Sequence, residues 1–354
     1  MRKKGRLLKV MMIVVISAVV IFVVVSFALI NHYMKQYFNR SEQKQYSEYM
    51  RWADYEDFER ETVTFPSGDE TLTGYIYGMD NAAKGLVVIS HGLGEDSEGY
   101  IGETKYFVDN GFMVFAYDNT GSGVSTGDSC IGLVQSVIDL DNALTYVEQN
   151  PVFRGLPICL YGHSWGGYAT TAILNYDHDI IAVASLAGYN DSLEEMTYVG
   201  KSLLGSFVYV EKPFVWLTLR MTFEDRMNLT ATSGINRAEH TAVMIIQGDQ
   251  DDFVGFDGPC IYANRDKITR DDVQFVLLEG REHGNLMMDH SEERLAYMEQ
   301  LNQEYNLILE EYANEVPDEI AKEWNDTIDK ELTSRLDEEL FEKILDFYME
   351  AIGE

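Results

Sequence analysis

Cysteine is scarce: Cys130, Cys159 and Cys260 are the only ones in 354 residues. So few, so widely spaced, exclude a disulfide framework or a cysteine-based zinc site. A bridge between Cys130 and Cys260 stays open, whereas Cys159 lies in an apolar run where a thiol acts as a small hydrophobe. Basic residues are short as well, with 27 Lys and Arg against 59 Asp and Glu and a net charge of -32. Several of the basic ones, Arg2, Lys3, Lys4, Arg6 and Lys9, crowd the very start. The polyanionic remainder argues against nucleic acid as a partner and against charge-driven adhesion to anionic lipid. What the chain does have is 46% hydrophobic and 12% aromatic content, which excludes general disorder and fits one large domain or two small ones.

Val10 to Ile30 is an apolar run whose only polar members are Ser17 and Ser26. At about 1.5 Å per residue it reaches about 30 Å, enough to cross a bilayer as one helix. The basic residues 1–9 before it predict a cytoplasmic N-terminus and a body outside. A cleaved signal peptide competes, because Ser26-Phe27-Ala28 offers small residues at cleavage offsets, but the apolar core is long for one. Residues 31–60 carry Tyr33, Tyr37, Phe38, Tyr46, Tyr49 and Trp52. They read either as a juxtamembrane helix with aromatics at headgroup level or as packing on the domain.

From Glu61 the texture changes. Glu61 to Phe65 and Thr71 to Tyr77, joined by a Pro66-Ser67-Gly68-Asp69 turn, predict an antiparallel strand pair. Gly85 to Ser90 is a short apolar run, as a buried central strand should be. A helix near 101–110, a strand at 112–117 and the amphipathic spacing of Leu133, Val137, Leu140, Leu144 and Val147 follow. Strands at 157–161, 180–187, 242–247 and 273–279 alternate with helices, which predicts an α/β fold with a mostly parallel sheet flanked by helices. The alternation stops over 189–238, an apolar and helical stretch expected to form a lid over the sheet's C-terminal edge. Residues 291–336 read as an acidic helical insertion with a solvated face, and 337–354 as a final helix packing back on the sheet. The main domain is thus expected over 61–290 and 337–354.

Chemistry gathers around Gly162-His163-Ser164-Trp165-Gly166-Gly167. A strand, a G-x-S-x-G pentapeptide and a helix in that order form the nucleophile elbow of serine hydrolases. Gly162 and Gly166, lacking a Cβ, leave room for the sharp turn, and the N–H of Trp165, opening the helix, is free to face an oxyanion. A serine needs a base, and the base an orienting acid. Of 7 histidines, His283 follows the last predicted strand on the edge where Ser164 emerges. His163 is adjacent to Ser164 and is expected to point away; His32, His178, His240 and His290 lack a strand-end context. The acid should leave the preceding strand, where Asp249, Asp251 and Asp252 all qualify; the EF-hand spacing for calcium is not met there. His91-Gly92-Leu93-Gly94 supplies the backbone N–H of Leu93 as second oxyanion donor.

In these motifs the chain resembles α/β-hydrolases of the monoacylglycerol lipase, lysophospholipase and serine aminopeptidase group. The resemblance runs from about Glu61 to Gly284 and over the last helix. It is carried by His91-Gly92-Leu93-Gly94-Glu95, Tyr117-Asp118-Asn119-Thr120-Gly121-Ser122-Gly123-Val124-Ser125, Gly162 to Gly167, Gly248-Asp249-Gln250-Asp251 and His283-Gly284. It implies Asp251 as the acid, three residues after Gly248, and oxyanion donors at Leu93 and Trp165. Thr120 and Ser122 depart from the group's usual Arg and His, a difference that bears on loop packing.

The expectation is a membrane-anchored α/β-hydrolase with a Ser164–His283–Asp251 triad acting on small-molecule or lipid esters. No metal or organic cofactor is expected, the bilayer is contacted through residues 10–30, and nucleic acid is not a partner. An aminopeptidase or amidase of the same fold is the alternative within this chemistry, with Glu194 and Glu195 as candidate holders of an amino terminus. An anchored binding protein without catalysis is the alternative outside it.

Overall fold

In the computed structural model of the chain, a helix longer than the apolar run opens the fold: α1 spans Arg2–Tyr37. The structure describes residues 2–43, 46–79 and 83–353. The side chains of Arg2, Lys3 and Lys4, part of the expected basic segment, lie outside the described residues. Within α1, Gly5–Tyr37 is long and apolar enough to cross a membrane. It is exposed as far as Phe22, after which Ser26, Ile30 and then Phe38 turn inward. Ser26 and Ile30, four apart, share one face of α1, and Phe38 follows just past its end.

The chain then enters an eight-stranded sheet. Its strands are β1 (Arg60–Ser67), β2 (Glu70–Tyr77), β3 (Leu86–Ser90), β4 (Met113–Tyr117), β5 (Ile158–His163), β6 (Ile180–Leu186), β7 (Ala242–Gly248) and β8 (Gln274–Leu278). The order is β1-β2-β4-β3-β5-β6-β7-β8, with β1, β2 and β4 paired antiparallel and the rest parallel. The continuous apolar runs are explained by two covered faces. Along β3, Leu86 and Val88 enter one core while Val87 and Ile89 enter the other, the period-2 alternation of a strand.

Helices α3 (Gln135–Gln149) and α4 (Trp165–Ala172) supply the first core, with Val137, Leu140, Leu144, Tyr168 and Ala172. On the opposite face, α2 (Ile101–Asp109) brings Phe107, and the last helix, Glu338–Ile352, brings Phe341, Ile344 and Tyr348. Tyr348 donates its hydroxyl to the carbonyl of Leu160 at 2.7 Å, fixing that helix to β5.

Between β6 and β7 stand α5 (Ser192–Leu204), α6 (Val208–Phe223) and α7 (Ala231–Arg237). They occupy the stretch expected as a lid. A small core of its own, made of Ile30, Val134, Val215, Leu219, Phe223 and Met227, joins α1 to α6. After β8 come α8 (Glu292–Glu311), α9 (Asp318–Asn325), α10 (Lys330–Thr333) and the last helix, α11.

Within residues 31–60, Met34 and Tyr37 of α1 already rest against the first core. From Phe38 onward the segment packs on the domain: Phe38 and Phe58 are buried, and Asn39 and Ser41 bridge to Ser129 and Ser122. Asn325 donates to the carbonyl of Ser47 and Thr333 to that of Glu48. The acidic helices are therefore seated on this segment.

Candidate active site

The strands that deliver the candidate residues all end on one edge. Ser90 pairs with Gly162, Gly162 with Ser185, and Gly248 with Leu278, so the loops after β3, β5, β7 and β8 emerge together. Ser164 sits between β5 and α4 at φ 57° and ψ -114°, a conformation that a non-glycine residue adopts only under constraint from its surroundings. The neighbouring glycines are required by close approach. A Cβ on Gly166 would stand 1.9 Å from the carbonyl oxygen of Ser90, and one on Gly162 2.3 Å from that of Gly166.

From Ser164 the hydrogen bonds run in series. The Nε2 of His283 lies 2.8 Å from the Oγ of Ser164, and its Nδ1 lies 2.9 Å from Oδ2 of Asp251. A carboxylate can only accept, so Nδ1 carries the proton and Nε2 is left to accept from the serine. Of the three aspartates in the β7 loop, Asp251 alone meets the imidazole. Its Oδ1 accepts from the N–H groups of Phe253 and Val254, each at 3.0 Å, and its Oδ2 also takes 2.8 Å from Gln247. Burial opposes its charge, but the hydrogen bond and charge of His283 with these donors outweigh that and hold it below the usual carboxylate range. Asp249 instead accepts the N–H of Gly280 at 2.7 Å, tying the β7 and β8 loops, and Asp252 is exposed. Phe253 stacks on the His283 ring, centroids 4.8 Å apart.

Leu93 and Trp165 lie on neighbouring backbone. The contact of Gly166 with Ser90 brings the turn after β3 across the start of α4, and the rings of His91 and Trp165 meet edge-on at 6.1 Å. Trp165 is the first residue of α4, where a helix leaves its N–H without an intrahelical acceptor. His91, fully buried, accepts from the N–H of Asn119 at 2.9 Å and so fixes the turn that carries Leu93. Thr120 is buried and bonded to Asp139, while Ser122 contacts Cys130.

One residue expected to point away from the chemistry is engaged with it. The Nε2–H of His163 donates to the backbone carbonyl of His283 at 3.0 Å, and its Nδ1 accepts from the hydroxyl of Tyr100 at 3.0 Å. That hydroxyl in turn accepts the N–H of Gly92 at 2.9 Å. A buried chain thus links the turn before Leu93 to the loop holding His283. Burial first, and then the neighbouring His283, push His163 down to about 3, so it stays neutral. Its position beside Ser164 was the one available sequence signal. Among the described residues no group of His, Cys, Asp and Glu is arranged to hold a metal ion. The three cysteines are buried and free, so Cys130 and Cys260 are not bridged.

Comparison with known proteins bears on the fold and on part of the sequence. Residues 81–208 match the family described as serine aminopeptidase, S33, a span that holds Leu93, Ser164 and Trp165 but neither Asp251 nor His283. A polyketide transferase of a Penicillium species is 28% identical over 137 residues, 38% of this chain and 46% of that protein. Human monoglyceride lipase is 33% identical over 85 residues, 24% of this chain and 28% of that protein. The chain therefore spans less than half the length of these relatives. A solved esterase structure from Pyrococcus furiosus superposes with a TM-score of 0.51 at 15% identity, covering 77% of this chain and 98% of that one; this likeness concerns the fold. The eight-stranded sheet with its order and the fold-level match give the chain the α/β-hydrolase fold, with the strained Ser164 turn at the strand edge where the candidate residues gather.

Proposed function

We propose that the chain is a membrane-tethered serine hydrolase that cleaves carboxylic esters with apolar acyl groups. The observation that supports it most is the unbroken series Ser164 Oγ, His283 Nε2, His283 Nδ1, Asp251 Oδ2. In this reading Ser164 attacks the ester carbonyl as Nε2 of His283 takes its proton. The N–H groups of Leu93 and Trp165 stabilise the oxyanion. His283 passes the proton to the leaving alcohol, Asp251 stabilises the imidazolium, and water attacks the acyl-enzyme by the same route in reverse.

The apolar acyl preference draws on the helical stretch between β6 and β7 and on the tether, which raises local concentration near lipid. Human monoglyceride lipase among the relatives supports the same direction. The aminopeptidase alternative needs a free negative charge for a substrate ammonium. Glu194 is exposed and paired with Lys212 at 2.6 Å, while Glu195 is buried, which raises its pKa well above the ordinary value, with the charge of Asp251 adding to the effect. Neither offers that charge, and the ester reading is favoured.

We place the anchor in residues 10–30 with the N-terminus cytoplasmic and the body outside. Protease added to intact cells should degrade the domain. Protection of the domain would reverse the orientation. Hydrolysis of acyl esters of graded chain length against aminoacyl amides, with Ser164→Ala as control, tests the substrate class. At least tenfold higher kcat/KM for esters is expected, and a preference for the amides would overturn it.

A further inference from the structure

A cavity of about 300 Å³ lies between α1 and the lid helices, at the small end of the roughly 300–1,000 Å³ range for ligand sites. Ile30 and Met34 of α1 form one wall; Val199, Leu203 and Val215 of α5 and α6 form the other. Two carboxyl groups interrupt this apolar lining, Glu195 and Glu211, only 3% and 2% exposed. An oxygen of Glu211 accepts from Ser26 of α1 at 3.1 Å. The Oε2 of each glutamate has no hydrogen-bond partner among the described residues. A buried acceptor left unmet is costly, and a ligand donor would remove that cost.

Two observations bear on what surrounds this cavity. The ring of Phe214 on α6 packs edge-on against Phe22 and Phe27 of α1, at 5.7 and 5.4 Å. Phe22 lies eight residues before Ile30, about 12 Å along a helix axis. With α1 spanning the bilayer, α6 lies within the outer leaflet. Its outward side chains suit that depth: Tyr209, Val210, Trp216, Leu217 and Met221 are exposed, as is Phe207 just before it, while Lys212 and Arg220 are paired with Glu194 and Asp225. This apolar patch continues the surface of α1. The lining also includes Leu133, whose carbonyl accepts the indole N–H of Trp165 at 2.7 Å.

We propose that this cavity is a lipid site in which the anchor helix itself is a wall. It takes the chain of a neutral, hydroxyl-bearing single-chain lipid directly from the leaflet, and the lipid hydroxyl donates to a free carboxyl oxygen of Glu195 or Glu211. The proposal rests on the reading of α1 as a membrane anchor, but not on hydrolysis. An anchor that builds the site has to stay attached, so a cleaved signal peptide does not fit.

The test uses the full chain in phosphatidylcholine vesicles with a glycerol monoether whose alkyl chain carries a diazirine, a probe that an esterase does not cleave. Photolysis and peptide mapping should place adducts in residues 29–37 and 196–215. Met34→Trp and Leu203→Trp, which fill the cavity from opposite walls, should each lower the yield at least tenfold. They should also lower kcat/KM for a long-chain ester at least tenfold relative to that for an acetate ester. Either variant suffices if the other fails to fold by circular dichroism. Adducts confined to residues 7–25, or a yield indifferent to both variants, would overturn the proposal. So would release of the chain by alkaline carbonate, which strips only proteins that do not span the bilayer. Loss of fluorophosphonate labelling with the adducts intact would count against the hydrolase reading alone and leave the lipid site supported.

Discussion

The Nε2–H of His163 donates to the backbone carbonyl of His283 across 3.0 Å. The residue before the proposed nucleophile thereby holds the loop that carries the proposed base. Tyr100 extends the link to Gly92, so the turn bearing Leu93 and the loop bearing His283 are held in one frame.

Breaking this frame should slow the reaction without removing its parts. His163→Ala is expected to lower kcat/KM by roughly 10–100-fold, the scale of a misplaced reacting group, and Tyr100→Phe by roughly tenfold. Because burial and the neighbouring His283 hold His163 down to about 3, it is neutral above pH 5. The loss should therefore be the same at pH 6 and pH 9. A loss that grows toward acid pH would show that His163 acts by titrating.

Gly166→Ala should be severe. Its Cβ would meet the Ser90 carbonyl at 1.9 Å, and relieving the clash means displacing β3 or α4 at a cost of about 3 kcal/mol or more. Gly102→Ala, whose Cβ would meet nothing nearer than 3.8 Å, is the control and should be neutral or mildly stabilising. Urea denaturation distinguishes the two. Equal stabilities would contradict the packing described for the serine turn.

The site was legible in the sequence to different depths. Ser164 and His283 announce themselves because a strand end followed by a glycine-flanked serine, or by a lone histidine, is a local pattern. The choice among Asp249, Asp251 and Asp252 is not local. In the structure the turn after β7 aims Asp251 back at the imidazole, whereas the residues alone leave all three open and only the family resemblance points to Asp251. His163 was legible in position but not in direction, since its partner lies 120 residues on.

The alternation of β and α was readable from period and length alone. The docking of α1 on α6 was not, because apolar residues suit lipid and protein equally. Only Ser26, Ile30 and Met34, spaced by four with a polar member inside the span, carried a trace of it. Glu195 shows the opposite limit. A glutamate in a helix looks solvated until its neighbours are known.

Glu103 should make stability depend on pH. It is buried with Oε1 unpartnered among the described residues, and burial pushes it up to about 7 from 4.5. The folded chain thus keeps a proton that the unfolded chain loses. This contribution is complete below about pH 4.5 and lost as pH rises through about 7, on the order of 3 kcal/mol at most. Glu103→Gln should flatten that part of the Tm profile between pH 5 and 8 and be the more stable form at pH 8. Parallel slopes for both proteins would contradict the burial argument.

The cysteines should be silent in the native protein. Burial raises Cys130 and pushes Cys159 up to about 12 and Cys260 to about 11, leaving little thiolate to react. Iodoacetamide at pH 8 should modify none of them before unfolding and all three after it, without prior reduction. A thiol released only by dithiothreitol would reveal a bridge.

The measurement closest to the central claim is labelling of the full chain by a fluorophosphonate probe, with peptide mapping. The account predicts one adduct, on Ser164, abolished in Ser164→Ala and slowed at least a thousandfold in His283→Ala. A well-folded protein that takes no label, or that labels equally well without His283, would contradict the proposal that Ser164 is an activated nucleophile.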